Sequence, residues 1–148
     1  MSGYLLDTNI ISRFAPDRAL PSEEVRRWFH SQGAADMLFL SSMTMAEIEK
    51  GMRSLHRRGG TERAQRLSVW LDRIAEQFAD RILPMDVVVA RIAGALEDEA
   101  TSRGRSPGLG DIIIAATARA YGLTVVTENL RHFEVLDVKA ELPKVFLD

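Results

Sequence analysis

Cysteine is absent from the 148 residues of this chain. Its absence excludes disulfide bonds, thiol nucleophiles and zinc sites ligated by cysteine. Long apolar runs are also lacking, and none approaches the roughly 20 residues needed to span a bilayer. The first residues have neither the basic nor the apolar stretch of a secretory signal. We therefore expect a cytoplasmic protein.

Charge of one sign is in little excess, because the formal net charge is only -2. This balance argues against a protein that coats nucleic acid nonspecifically. It does not exclude an enzyme acting on nucleic acid, since such an enzyme can concentrate carboxylates in a metal site. The hydrophobic content of 46% and the lack of repeats or linkers predict one globular domain over residues 1–148.

Strands alternate with helices along the chain. Short apolar runs at 4–6, 37–40, 82–83 and 123–126 predict buried strands, and 145–147 an edge strand. Helical patterns begin near Asp7, Pro21, Ser41, Asp86 and Asp111, and another helix start is predicted near 128–129. A turn at 57–60 separates two helices of a pair. This order predicts an α/β fold with a central, mainly parallel sheet, helices on both faces and a protruding helical pair.

Acidic residues lie close to several of the predicted helix starts. Asp7 and the pair Glu128 and Asn129 directly follow strands, Glu47 follows one within a turn, and Asp111 opens a helix. In parallel sheets such side chains converge beyond the carboxyl ends of the strands. Clustered carboxylates repel each other unless a cation lies between them, and oxygen ligands favour magnesium or manganese. A hard divalent ion held there can activate water and stabilise charge on a phosphodiester.

Helix capping is the alternative explanation for the same residues. Aspartate is a frequent N-cap, and acids in a first turn are favoured by the helix dipole. Thr44 and Glu47 also have the spacing of a capping box, in which each side chain bonds the other's backbone N–H. The pattern alone leaves both interpretations open.

Other reaction types lack their motifs. The chain has no phosphate-binding P-loop, and Gly108-Leu109-Gly110 is too short for a dinucleotide fingerprint. The three histidines lack zinc-ligand spacing, and no serine elbow is present. A receiver domain would need a phosphoacceptor aspartate well inside the chain and a lysine at a later strand end, and residues 123–127 contain no lysine.

Four segments together resemble the PIN domain family. Residues 5–12 (LLDTNIIS) resemble its opening signature, and residues 44–51 (TMAEIEKG) its second. Residues 110–118 (GDIIIAATA) are similar to the third, and residues 125–129 (VVTEN) followed by Phe133 to the fourth. The order, spacing and total length agree, and the chain is most similar to VapC-type toxins of the FitB-like branch.

The resemblance implies a small endoribonuclease that needs Mg²⁺ or Mn²⁺, acting as the toxin of a type II toxin–antitoxin system. It implies a homodimer and a VapB-type antitoxin whose tail occupies the active site. It assigns catalysis to Asp7, Glu47, Asp111 and Asn129, with the first three as metal ligands. Thr8, Asn9, Thr127 and Glu128 are expected to support them, and Arg13, Arg103 and Arg105 to contact RNA phosphates.

Two positions depart from the family pattern. Asn129 stands where the family often has an acid, so either its carbonyl or the neighbouring Glu128 is expected to serve there. His132 stands where many relatives have an acid before the phenylalanine. Both changes lower the negative charge of the predicted pocket, which favours one metal ion over two. They also motivate an alternative function, a module that binds RNA or a partner without cutting it.

Overall fold

A five-stranded parallel sheet forms the centre of the computed structural model, which describes residues 3–147. Its strands are β1 (Tyr4–Leu6), β2 (Leu38–Ser41), β3 (Ile82–Leu83), β4 (Thr124–Val126) and β5 (Ala140–Glu141). They lie in the order β3-β2-β1-β4-β5, and every neighbouring pair is parallel. The predicted parallel sheet is confirmed.

Seven α-helices connect and cover the strands within the described part of the chain. They are α1 (Thr8–Ile11), α2 (Glu23–Ala34), α3 (Ser42–Arg57), α4 (Thr61–Phe78), α5 (Val87–Ser102), α6 (Leu109–Tyr121) and α7 (Leu130–Glu134). Short 3-10 turns occupy Ser12–Phe14, Ala79–Arg81 and Lys144–Phe146. Among residues 3–147, no helix has the length and apolar character that crossing a membrane requires.

Two hydrophobic cores cover the two faces of the sheet. Successive strand residues point to opposite faces, so Leu5 and Val125 enter one core, while Leu6 and Val126 enter the other. The first core contains apolar residues of α5 and α6, and the second contains residues of α1, α2 and α4. This arrangement is the predicted α/β/α sandwich.

The helices α3 and α4 form a hairpin whose turn contains Gly59. The backbone of Gly59 has a φ of +93°, a conformation that side chains disfavour, so glycine is suited to this turn. The predicted apolar stripe of α4 is buried at Leu71, Ile74 and Phe78 and partly buried at Leu67. The predicted helical pair is therefore present.

The predicted edge strand at 145–147 is wrong. Those residues follow Pro143, which has no N–H to donate to a strand ladder, and the chain turns into a 3-10 helix over Lys144–Phe146. Phe146 is buried and packs edge-on against Trp28, with ring centroids 5.2 Å apart. The strand at this edge of the sheet is β5, a few residues earlier.

Candidate active site

Two strand ends meet at the centre of the sheet. Because Leu6 pairs with Val126, the residues that follow them, Asp7 and Thr127, lie side by side. The Thr127 hydroxyl donates to Oδ2 of Asp7 at 2.7 Å, and the Asp7 N–H donates to the Val126 carbonyl at 2.9 Å. The chain reaches β2 and β3 on one side of β1 and β4 and β5 on the other. Ligands of open parallel sheets bind at such a reversal of strand order.

The Asp7 carboxylate is held by hydrogen bonds on both oxygens. The N–H of Thr8 donates to Oδ1 at 2.8 Å, so Asp7 caps α1, as the capping alternative predicted. The side-chain amide of Asn9 donates to Oδ2 at 3.3 Å. Asp7 is only 5% exposed, and these contacts restrict its orientation.

Burial raises the pKa of the Asp7 carboxyl above its ordinary value. Hydrogen bonds from Thr127 and Thr8 act in the opposite direction, and the charges of Asp111 and Glu47 raise the pKa further. Asp7, which follows β1, shares one region of the molecule with Glu47 of α3, because the neighbouring Thr8 hydroxyl donates to Glu47.

Glu47 reaches this region from the second turn of α3. The helix is capped by Ser41, whose Oγ accepts from the Met43 N–H at 3.0 Å, so Thr44 already lies inside it. The capping-box interpretation is therefore wrong, because Ser41 at the end of β2 supplies the cap instead. The Thr8 hydroxyl donates to Oε1 of Glu47 at 2.6 Å and lies 3.1 Å from Oγ1 of the buried Thr44.

Gly110 contacts the same carboxylate from α6. A Cβ atom at this position would lie 3.1 Å from Oε2 of Glu47 and 3.7 Å from Cε of Met43. A glycine here leaves room for the Glu47 carboxylate. Sequence reasoning assigned Gly110 no role; its signal was its place directly before Asp111 in the third family segment.

Asp111 lies in the first turn of α6, which begins two residues earlier than predicted and has Gly108 as its N-cap. Its Oδ2 is 3.1 Å from Nδ1 of His132, near the start of α7. The sequence predicted a helix start near Glu128 and Asn129, and α7 begins there, at Leu130, and brings His132 to the site. An imidazole thus faces the Asp111 carboxylate.

Glu128 and Asn129 connect β4 to α7. The Asn129 N–H donates to Oγ1 of Thr127 at 3.0 Å, and the Glu128 N–H donates to Oδ1 of Asn9 at 3.3 Å. The carboxylate of Glu128 pairs with Nε of Arg13. Within residues 3–147, the Asn129 side chain forms no hydrogen bond. Asn129 and Glu128 were the two candidates for the acidic position of the fourth family segment. Of these two side chains, Glu128 is the one that pairs with an arginine.

The three arginines expected to contact RNA have different surroundings. Besides Glu128, Arg13 donates to the Phe146 carbonyl at 3.3 Å and lies over its ring. Arg103 pairs with Glu99 one helical turn away, at 2.7 Å. Arg105 lines a cavity that also reaches Asp111.

The donor chemistry of the site fits a hard divalent cation. Asp7, Glu47 and Asp111 offer only oxygen atoms, which magnesium and manganese prefer. In the described residues, however, no three acidic or histidine side chains are already arranged as a ligand set. Glu47 is hydrogen-bonded to Thr8, and Asp111 contacts His132, so these two carboxylates point to protein partners. Carboxylate side chains reorient readily, so these contacts are compatible with the three acids binding one cation.

The fold is a PIN-like α/β/α sandwich with acidic residues near the carboxyl ends of its central strands, and comparison with known proteins gives the family. The model of the PIN domain matches residues 4–139. This chain belongs to the PIN domain family.

Two relatives and one solved structure illustrate the similarity. The chain is 36% identical to toxin FitB of Neisseria gonorrhoeae, over 90% of this chain and 93% of the relative. It is 31% identical to VapC ribonuclease Y4jK of Sinorhizobium fredii, over 88% of this chain and 89% of the relative. A crystal structure of FitAcB from Neisseria gonorrhoeae superposes with a TM-score of 0.78 at 36% identity, covering 93% of this chain and 95% of that chain.

Proposed function

We propose that this protein is an endoribonuclease that hydrolyses RNA phosphodiester bonds with Mg²⁺ or Mn²⁺. It acts in the cytoplasm as the toxin component of a VapBC-type toxin–antitoxin module. The observation that carries the proposal is the convergence of three acids: Asp7 is buried, Thr8 beside it donates to Glu47, and Gly110 beside Asp111 contacts the same Glu47 carboxylate. The names of the relatives, a toxin and a VapC ribonuclease, support the same activity.

In this proposal Asp7, Glu47 and Asp111 hold the cation, which when bound activates water and stabilises negative charge on the phosphate. Thr127, Asn9 and the Thr8 N–H orient Asp7 through the three hydrogen bonds described above. The Thr8 hydroxyl orients Glu47. Asn129, in the fourth family segment, offers its side-chain carbonyl as a further oxygen ligand for the cation.

Glu128 has a supporting role, because Arg13 holds its carboxylate and its N–H holds the Asn9 amide oxygen. Through Asn9 this pair helps to orient Asp7. Arg13 is thus assigned to the support of the site rather than to direct contact with RNA.

Two exposed apolar surfaces are proposed as protein interfaces. A cavity of about 450 Å³ lies along α4, away from the three carboxylates. Its apolar lining residues are Pro16, Val69 and Trp70, and they are flanked by Glu62, Gln65, Arg66 and Arg73. We assign this cavity to the antitoxin. Val87 and Val88, at the start of α5, are exposed and are assigned to the homodimer.

A binding module without nuclease activity is the second candidate. Two contacts favour it, because each engages a candidate metal ligand with a protein side chain. Glu128, the alternative to Asn129, is paired with Arg13, and Asp111 faces His132. It predicts that the protein retains RNA without any metal-stimulated cleavage.

The test is cleavage of labelled RNA by antitoxin-free protein in Mg²⁺, Mn²⁺ or EDTA, beside the Asp7→Asn variant. Asparagine is a good N-cap, so the variant is expected to fold, which circular dichroism checks. We expect metal-dependent cleavage by the wild type and none by the variant. Equal cleavage by the folded variant contradicts the assignment of Asp7, and RNA binding without cleavage under any ion favours the binding module.

A further inference from the structure

A second cavity, with basic residues in its wall, opens directly beside the acidic centre. Its volume is about 260 Å³, and it lies between the turn that precedes α6 and the start of α7. The lining includes Arg105, Pro107, Asp111, Arg131 and His132. Because Asp111 belongs both to this wall and to the acidic centre, the two sites are continuous.

Two guanidinium groups give this cavity its charge. Within residues 3–147, neither Arg105 nor Arg131 forms an ion pair, whereas Arg103, close by in sequence, is neutralised by Glu99. Two like charges on one concave surface repel each other, and an anion placed between them removes the repulsion. The planar guanidinium fork is well suited to phosphate oxygens.

A polyanionic substrate gains from such a cavity, because the charge of the whole molecule does not favour its binding. The net charge of -2 does not attract RNA, and the three carboxylates repel it locally. A strand that places one phosphate at the acidic centre must bring its neighbouring phosphates along. A cavity with two free arginines on the Asp111 side is positioned to receive one of them.

We propose that the cavity between Arg105 and Arg131 binds a backbone phosphate of the RNA strand next to the linkage that is cut. This proposal rests on the proposed function for its substrate class. Arg105 was expected from the sequence to contact RNA, while Arg131 is new. In the cavity, Arg105 and Arg131 would bind the same phosphate group.

The first experiment measures affinity for a short single-stranded RNA in EDTA, where cleavage is excluded, as a function of salt. The variants are Arg105→Gln, Arg131→Gln and the double variant. We expect each single change to weaken binding by roughly tenfold, because a hydrogen bond to a charged group is removed. The salt dependence, as the slope of log K against log salt, should fall by about 0.7 for each phosphate that the protein no longer neutralises.

Arg119→Gln is the matched control. Arg119 is an exposed arginine at the other end of α6, and it pairs with Asp137 rather than lining this cavity. An exposed substitution of this kind is expected to change affinity by no more than about twofold.

A modified substrate tests the interaction itself. Replacing one phosphodiester by an uncharged methylphosphonate, at successive positions along the RNA, should weaken wild-type binding at the linkage that enters the cavity. The same replacement should have no further effect on the double variant, since the partner of that phosphate is already missing. Independent, additive losses of affinity at every position would overturn the proposal.

The outcomes separate this inference from the proposed activity. If the wild type cleaves RNA and the double variant cleaves it with the same KM and salt dependence, the nuclease proposal is supported and the proposed phosphate site is contradicted. If no cleavage occurs but the double variant loses RNA affinity as described, the phosphate site is supported and the nuclease proposal is contradicted. If RNA affinity is unchanged while binding of an acidic antitoxin peptide is abolished, the cavity binds that peptide and the RNA assignment is overturned.

Discussion

At the scale of single residues, the surroundings of Asp7 both stabilise and destabilise the ionised form of its carboxyl group. Its hydrogen bonds and its capping of α1 favour the carboxylate, while burial and two neighbouring acids disfavour it. The net direction is a raised pKa, so an ionised Asp7 in the folded protein is held at a cost in stability. Under the proposed function, a bound divalent cation would offset that cost.

The first prediction is therefore that Asp7→Asn raises the free energy of unfolding of the metal-free protein at neutral pH. A raised pKa in the folded state contributes stability below the ordinary value of 3.8, and that stability is lost as pH rises through the folded pKa. The advantage of the variant should accordingly shrink on acidification towards 3.8. Thermal unfolding in EDTA across pH measures this.

Added Mg²⁺ provides the complementary measurement. It should raise the melting temperature of the wild type through binding to the folded state and leave that of Asp7→Asn nearly unchanged. Equal stabilisation of both proteins by Mg²⁺ would exclude Asp7 as a ligand.

The second prediction concerns Thr127→Val. The change keeps the size of a fully buried side chain but removes the hydroxyl that donates to Asp7. Loss of such a supporting hydrogen bond is expected to lower metal affinity or activity by roughly 10–100-fold. A titration of cleavage rate against Mg²⁺ concentration measures both.

Thr117→Val is its control, because Thr117 is equally buried and its hydroxyl bonds only to the Ile113 carbonyl on its own helix. We expect its rate and Mg²⁺ dependence to match the wild type. A Thr127→Val protein that also matches would show that Asp7 needs no orientation by Thr127.

At the scale of elements, the third prediction concerns the approach of α6 to α3. In Gly110→Ala, the added methyl group would lie 3.1 Å from Oε2 of Glu47 and displace that carboxylate. Alanine is the better helix former by up to about 1 kcal/mol, so the fold should survive while the cleavage rate falls at least about tenfold.

Gly94→Ala is the matched control within α5, since a Cβ there meets no atom within 4 Å. It should gain stability, by about 0.4–1 kcal/mol, with full activity. Chemical denaturation and cleavage assays on both variants separate helix propensity from the contact with Glu47. Full activity in Gly110→Ala would mean that Glu47 can move without consequence.

The elements that sequence could predict are those with a strong local signal. Short apolar runs ended by capping residues predicted β1, β2 and β4, and the turn containing Gly59 predicted the α3–α4 hairpin. The 3-10 turn at Lys144–Phe146 was mistaken for a strand because its apolar residues pack on Trp28 rather than in the sheet. Such long-range packing leaves no periodic signal.

The candidate site shows the same division. Asp7 could be selected because it follows a strand, and Glu47 and Asp111 because they lie near predicted helix starts. The contacts of Thr8 with Glu47, Gly110 with Glu47 and His132 with Asp111 join residues far apart in the chain. They depend on side-chain directions that spacing does not contain.

At the scale of the whole molecule, the fourth prediction separates the two proposed interfaces. Val88 on α5 is 60% exposed and Val69 on α4 is 54% exposed, so a glutamate at either position should leave the fold intact. Val88→Glu is expected to yield monomers that still bind antitoxin, because a charge is costly in an apolar dimer contact. Val69→Glu is expected to remain dimeric and to bind no antitoxin.

Light scattering and antitoxin co-purification measure these outcomes, and each variant is the control for the other. If the wild-type protein is monomeric both alone and with antitoxin, the proposed homodimer is contradicted. A Val69→Glu protein that keeps its antitoxin would move the antitoxin contact away from α4.

The capping of α1 by Asp7 restricts how this chain can evolve. Under the proposed function, a lineage that loses nuclease activity no longer needs a metal ligand at this position, yet the first helix still needs a side chain that accepts from the Thr8 N–H. Asparagine and serine meet that need nearly as well as aspartate, whereas alanine costs about 0.5–2 kcal/mol. Inactive descendants should therefore be recognisable by asparagine or serine at position 7, while Thr8 keeps its place.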